Sequence, residues 1–171
     1  MDDEKYYGEN DYLGNWLKNQ RIKNVKNKIK GKLLDIACGE NDLVKSYGNG
    51  KGIDINDYGA DAVFENFYDL PFDDQSFDTI TILSSINYFE QPERVLKEVY
   101  RLLKKDGVLV ITNTNYAIMK VWHLFRESWA YKAGYTEKEL VKMLKRNNFK
   151  IRDKEYFNLI VSYVLVLEKV T

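Results

Sequence analysis

Cysteine and histidine are almost missing from this sequence, which has one of each, Cys38 and His123. A lone cysteine excludes an internal disulfide framework and fits a reducing, cytoplasmic setting. Two such residues are too few for a dedicated zinc cluster, so no metal site is expected. An excess of one charge is also absent, with 26 basic residues against 26 acidic ones. Wholesale electrostatic attraction to nucleic acid or to an anionic membrane is therefore not expected. No apolar run is long enough to span a bilayer. The longest, Leu159 to Leu167, is broken by Ser162 and Tyr163 and reads as a buried strand. The acidic start Met1-Asp2-Asp3-Glu4 leads into no apolar core and does not read as a secretory leader.

What is present is a globular composition, 44% apolar over 171 residues. That length suits one domain, 1–171, able to bury a core. Residues 12–30 suit a helix, with Leu13, Leu17, Ile22, Val25 and Ile29 as an imperfect apolar stripe. The basic stretch Lys18 to Lys32, with Arg21, Lys23, Lys26, Lys28 and Lys30, reads as the solvated face of that helix. Strands are expected at Lys32–Ala37, Lys51–Ile55, Ala60–Glu65, Phe77–Leu83 and Val108–Thr112. Residues 42–47 suit a short helix. A longer one starts at Pro92, whose missing N–H is not needed there, and is ended by Asp106-Gly107. Thr136-Glu137-Lys138-Glu139 is a capping box for a helix reaching about Asn147. Phe149–Phe157 and Leu159–Leu167 would be a final strand pair with Asn158 as the turn. This alternation predicts an α/β fold, a mostly parallel sheet with helices on both faces and an antiparallel edge.

Open α/β sheets bind ligands at the carboxyl ends of their strands. Here the first strand closes with an acid, Asp35, and the small turn Ala37-Cys38-Gly39, which lets backbone N–H groups approach a ligand. Asp54 closes the second strand, where a carboxylate can accept hydrogen bonds from both hydroxyls of a ribose. Asn66-Phe67 follows the third, an amide and an aromatic able to read an adenine edge and pack its face. Ser84-Ser85 closes the fourth. Each signal is weak by itself, and the ordered set is much stronger.

In that order the segments resemble class I S-adenosylmethionine-dependent methyltransferases. Leu33-Leu34-Asp35-Ile36-Ala37-Cys38-Gly39 is similar to their nucleotide-binding motif, and Gly52-Ile53-Asp54-Ile55 to their second motif. Asp69-Leu70-Pro71-Phe72-Asp73-Asp74-Gln75-Ser76-Phe77-Asp78 resembles the segment before the fourth strand in the ubiquinone/menaquinone-type branch, methyltransferase type 11. Glu98 to Leu109, Tyr135 to Leu140 and Asn148-Phe149 match that branch's later helices and strands. The resemblance covers residues 30–168. It implies a Rossmann-like three-layer sandwich with a seven-stranded sheet whose last strand is antiparallel. It implies S-adenosylmethionine as cofactor and S-adenosylhomocysteine as product. Asp35 and the backbone of Ala37, Cys38 and Gly39 would lie along the methionine part. Asp54 would hold the ribose, Asn66 and Phe67 the adenine, and Ser84 the cofactor from the fourth strand end, with Ile55 also among the cofactor-binding residues.

Three positions depart from the family pattern. Asn41 stands where a further glycine is usual, Ala37 where glycine is common, and Asn87 where a histidine is often found. Methyl transfer from a sulfonium is an in-line displacement that needs alignment and dryness, and a base only if the acceptor must lose a proton. The one weak candidate base is His123, whose competing reading is a packed histidine. Tyr6, Tyr7, Tyr12 and Trp16 either close over the cofactor or simply pack the N-terminal helical segment, 1–30. Cys38 reads as a small buried residue, not a nucleophile. The acceptor site would come from that segment and from 113–135, an acceptor lid rich in aromatics, which favours a small-molecule acceptor. A monomer or homodimer is expected. The alternative is a non-catalytic S-adenosylmethionine-binding or scaffold protein. An NAD oxidoreductase lacks its Gly-x-Gly-x-x-Gly pattern here, and a base-modifying enzyme its Asn/Asp-Pro-Pro-Tyr motif.

Overall fold

Alternating runs of branched apolar residues and amphipathic helices fold into a layered α/β structure. The computed structural model describes residues 12–116, 134–159 and 161–170. Its helices are α1 (Tyr12–Lys26), α2 (Asp42–Tyr47), α3 (Pro92–Leu102) and α4 (Glu137–Arg146). Its strands are β1 (Leu33–Ile36), β2 (Gly50–Asp54), β3 (Ala62–Val63), β4 (Phe77–Leu83), β5 (Leu103–Thr114), β6 (Phe149–Phe157) and β7 (Ser162–Lys169). They form one seven-stranded sheet in the order β3-β2-β1-β4-β5-β7-β6. The pairs among β1 to β5 are parallel, and β7 runs antiparallel to both neighbours.

Side-chain alternation assigns the layers. Leu33, Val108, Val110, Val164 and Val166 pack with Val25 of α1 and with Leu43 and Val44 of α2. Leu34, Ile36, Ile53, Ile80 and Ile82 pack on the other face with Leu96 and Val99 of α3 and Leu140 and Leu144 of α4. Helices on both faces make the three layers expected from the sequence. The order reverses between β1 and β4, and the carboxyl ends of those strands open a crevice there.

Several boundaries differ from the sequence-based reading: α1 ends at Lys26 and not at residue 30, and β3 is only Ala62–Val63. Helix α3 stops at Leu102 and passes straight into β5, so Asp106-Gly107 does not end it. Leu103 pairs with Phe77 and Val108 with Thr79, so the residues between bulge out of a strand that has already begun. Strand β7 starts at Ser162 and not at Leu159, because Asn158 and Leu159 both turn in the left-handed region (φ 54° and 53°). The antiparallel strand itself lies inside the sheet, and β6 takes the edge. The capping box forms as expected, with Thr136 Oγ1 accepting from Glu139 N and the Glu139 carboxylate accepting from Thr136 N.

Among the described residues no helix is long and apolar enough to cross a membrane. The long connection after β3 is held by α3. Glu98, only 7% exposed, accepts from Leu70 N at 2.7 Å and from Arg101 at 2.6 Å. Arg101 also donates to the carbonyls of Leu70 and Phe72 and to Asp74, at 3.0, 2.8 and 2.6 Å. The guanidinium fork thus satisfies a loop that has no strand partner of its own. Arg101→Ala is expected to lower stability by about 2–3 kcal/mol, because it leaves the Glu98 carboxylate buried without its cation. Urea unfolding checks this, and an unchanged midpoint would show that the clamp is dispensable.

Candidate functional site

The central strand β1 is buried on both faces, so its one polar side chain, Asp35, enters the dry interior at 2% exposure. Thr81, its register partner on β4, donates to Asp35 Oδ1 at 2.5 Å. Desolvation pushes the Asp35 carboxyl up to about 7, the Asp54 charge adds to this, and the Thr81 bond opposes it. After Ile36 the chain leaves the sheet through Ala37, Gly39 and Asn41, all left-handed, with φ of 57°, 56° and 64°. Such a turn is natural for glycine and asparagine and costs alanine about 1 kcal/mol. Ser84, at the end of β4, is left-handed as well (φ 59°). Two adjacent strand ends therefore carry non-glycine residues in a strained conformation, which is characteristic of ligand sites.

Asp54, 6% exposed at the end of β2, ties the turn to the next strand. Its Oδ2 accepts from Gly39 N at 2.8 Å, and its Oδ1 accepts from Ile55 N and Asn56 N at 2.8 and 3.2 Å. Ile55 beside it is an exposed apolar side chain, at 51%. Asn66 is exposed and its Oδ1 accepts from Tyr68 N at 2.9 Å, closing an Asx turn. Phe67 is 4% exposed and packs edge-on against Phe89 with centroids 5.4 Å apart. Ser84 N donates to Thr112 O, and its hydroxyl lies 3.3 Å from Thr112 Oγ1. The structure thus brings Asp35, the 37–39 turn and Asp54 together, and sets Asn66 and Phe67 on the loop beyond β3. Tyr12 and Trp16 project outward from α1. His123, Tyr6, Tyr7 and all but the ends of 113–135 lie outside the described residues.

A cleft opens beside β1. Asp35, Ala37, Cys38 and Gly39 form one wall, and Lys18, Arg21 and Ile22 of α1 face them. The basic stretch is therefore not simply a solvated helix face, which corrects the sequence-based reading. Lys18 pairs with Glu40 and, at 2.8 Å, with Asp42, at the nucleotide-type turn. Lys26 donates to Ser46 O, and Lys28 just beyond α1 pairs with Glu155, so the helix is fastened at its middle and at its C-terminal end. Positions 18, 21 and 22 lie on the same face of α1 as Val25, which is fully buried, but cations on the other faces leave that face unmarked in the sequence. Cys38 sits on the wall, but burial first, and then Asp35, Asp54 and Asp61, push its thiol well up, so it is no nucleophile.

Asn41 is not on the cleft wall. It is 1% exposed, and its Oδ1 stands 2.0 Å from where a Cβ on Gly52 would be. The side chain that replaces the usual glycine is housed by a glycine on β2 and does not crowd the cleft.

Residues 34–111 match the family model for a methyltransferase domain. The chain is 37% identical over 83 residues to a ubiquinone/menaquinone biosynthesis C-methyltransferase of Rhizobium meliloti, a match covering 48% of this chain and 31% of that one. It is 30% identical over 131 residues to a demethylmenaquinone methyltransferase of Lactobacillus johnsonii, covering 63% and 54% respectively. The chain is thus similar, over its central part, to methyltransferases. A solved S-adenosylmethionine-dependent methyltransferase of Thermotoga maritima, described as a possible histamine N-methyltransferase, shares the fold. Its TM-score is 0.73 at 18% identity, over 95% of this chain and 96% of that one. The chain spans about a third and about half of the length of these two curated relatives.

Two outcomes follow from the site's packing and charge. In the free protein, Asp35 holds its proton up to about pH 7, whereas unfolded it loses it near 3.8. Between those values the folded chain binds the extra proton, so this group's contribution to stability falls as pH rises. Asp35→Asn is therefore expected to raise the melting midpoint at pH 8, by the equivalent of roughly 2–4 kcal/mol, with the gain fading toward pH 4. An equal gain at both pH values would remove the titration from the explanation. Gly52→Ala is expected to cost about 1–3 kcal/mol through its collision with Asn41. Adding Asn41→Gly should return most of that loss in thermal unfolding, and failure to do so would place the strain elsewhere.

Proposed function

We propose that this chain is an active S-adenosylmethionine-dependent methyltransferase of one domain, acting on a small-molecule acceptor. The observation that carries the reading is the cleft itself. A left-handed turn after β1 and an interior carboxylate beside it stand at the point where the strand order reverses, and a second carboxylate at the end of β2 is bonded to that turn. Asp35 and the Ala37–Gly39 backbone take the methionine part, Asp54 orients the ribose hydroxyls, and Ile55 offers an exposed apolar surface to the adenine. Asn66 and Ser84 complete the rim, while Phe67 supports the adenine side from the core. The cofactor supplies an electrophilic methyl group on a sulfonium. The chain's own part is to hold the reacting ends in line and exclude water, which needs no nucleophilic residue. Two carboxylates, Asp35 and Asp54, support this reading, since they would supply acceptors for the ammonium and hydroxyls of the cofactor, and the Asn41 side chain is not on the cleft wall.

The relatives named for quinone methylation make ring carbons of that kind the first acceptors to try. His123 and 113–135 are the first positions to vary once an acceptor is known. The test begins with isothermal titration of S-adenosylmethionine and S-adenosylhomocysteine. Micromolar binding is expected for both, with a loss of at least roughly tenfold in Asp54→Ala, the value of one or two charged hydrogen bonds. No binding by folded wild type would favour a scaffold that has kept only the fold.

A further inference from the structure

Where β5 ends and β7 begins, the sheet holds polar groups that neither the core nor the cofactor reading uses. Because β7 is antiparallel, this place lies at the same end of the sheet as the cleft. Asn113 of β5 and Tyr163 of β7 are register partners there, so their side chains stand next to each other. They are only 2% and 1% exposed. Asn113 Nδ2 and Tyr163 OH are nonetheless both without a hydrogen-bond partner among the described residues. Ser85 Oγ, just past the end of β4, is a third such atom. Buried polar groups are as a rule hydrogen-bonded, and an orphan costs the fold its desolvation. Orphans gathered at the strand ends where α/β sheets bind ligands point to a ligand.

The chemistry of the pair is fixed by its neighbours. Asn113 Oδ1 accepts from Asn87 Nδ2 at 3.0 Å and from Thr114 N at 2.9 Å. Asn87 is held in turn by Tyr135 N, which donates to its Oδ1 at 3.2 Å. The carbonyl side of the Asn113 amide is thus used twice, and the group left over is its NH2, which only donates. Burial pushes the Tyr163 phenol up to about 12, with the Asn113 amide beside it working the other way, so the phenol keeps its proton and donates as well. Two adjacent donors suit one oxygen that has lone pairs and no proton. A charged oxygen would need a cation in so dry a position, and Lys154, which acts on Tyr163, is paired with Glu137 at 2.8 Å. A neutral carbonyl fits better. The pair is also within reach of the cleft: β7 lies two strand spacings from β4, roughly 10 Å, a span that a small molecule covers.

We propose that Asn113 Nδ2 and Tyr163 OH bind a carbonyl oxygen of the methyl acceptor, which makes that acceptor a ketone-type molecule. This inference rests on the methyltransferase reading above and deepens it. Both atoms are covered in the free protein, so binding includes a local opening at this end of the sheet.

One arm of the test needs no ligand. Tyr163→Phe removes only the orphan hydroxyl, so the melting temperature of the free chain should stay unchanged or rise by roughly 2–4 °C. A fall of that size would give the hydroxyl a structural partner, such as a buried water, and overturn the proposal. The other arm uses 1-tetralone and tetralin, one bicycle with and without a carbonyl, added to the full chain with S-adenosylhomocysteine and followed by ligand-observed NMR. Wild type should bind the ketone roughly tenfold more tightly, the worth of two neutral hydrogen bonds. Tyr163→Phe should lose part of that preference. Asn113→Asp, which keeps both accepted bonds and loses the NH2, should abolish it. Equal binding of the two probes by wild type, binding of neither, or a preference that both variants retain would each overturn the proposal. Absence of S-adenosylhomocysteine binding in wild type would instead remove the cofactor reading, a result distinct from cofactor binding without a preference for the ketone, which refutes only the carbonyl contact.

Discussion

A carboxylate at the end of the central strand is the constraint on which this site depends. Asp35 lies where both faces of the sheet are covered, with one hydroxyl, from Thr81, to hold it. That position is costly for the free chain, since burial without a cation favours the protonated form. A buried acid of this kind is retained where a bound partner restores the balance, and under the proposed function that partner is the ammonium of the cofactor. The turn that follows is shaped by the same crowding. It leaves the sheet through left-handed residues, and its Gly39 N–H is anchored by Asp54. The carboxyl ends of β1 and β2 thus form one hydrogen-bonded unit.

Around that unit the structure uses long polar side chains as fasteners. Lys18 draws α1 onto the β1–α2 connection, and Lys28 ties the residues after α1 to β6 through Glu155. Arg101 does similar work for the loop after β3, which has few backbone partners of its own. Each cation contributes little in Coulomb energy at a partly exposed position. Their effect lies in geometry, because they bring short elements to fixed places on a sheet that would otherwise bury only their apolar stripes. The cleft wall on α1 is a product of this fastening.

The departures from family pattern show how local changes are absorbed. Asn41 adds a side chain where the turn usually has none, and the space comes from Gly52 on the neighbouring strand. Asn41 can keep the left-handed conformation that the turn demands, since asparagine tolerates it better than most residues. Ala37 has no such excuse and carries the strain at the point closest to Asp35.

Periodicity and turn residues sufficed for much of this. Strand β4 and strand β6 have the bounds the alternation implies, Pro92 starts its helix and Thr136 caps the next. Those features depend on neighbours a few residues apart, so they are written along the chain. Asp35, Asp54 and the small turn were also legible, because strand ends in a parallel sheet point one way and motif order marks them. The start of β5 was not legible, since Leu103 becomes a strand only by pairing with Phe77, 26 positions earlier in the chain. The burial of Phe67 against Phe89, the shelter of Asn41 by Gly52, and the turning of Lys18 and Arg21 toward the cleft were decided by the tertiary structure alone. The sequence by itself determined which residues form strands, helices and caps and which acids close the strands. Only packing decided which side of a lysine-rich helix meets the sheet, because a helix with cations on every face carries no local instruction about which of them will be buried.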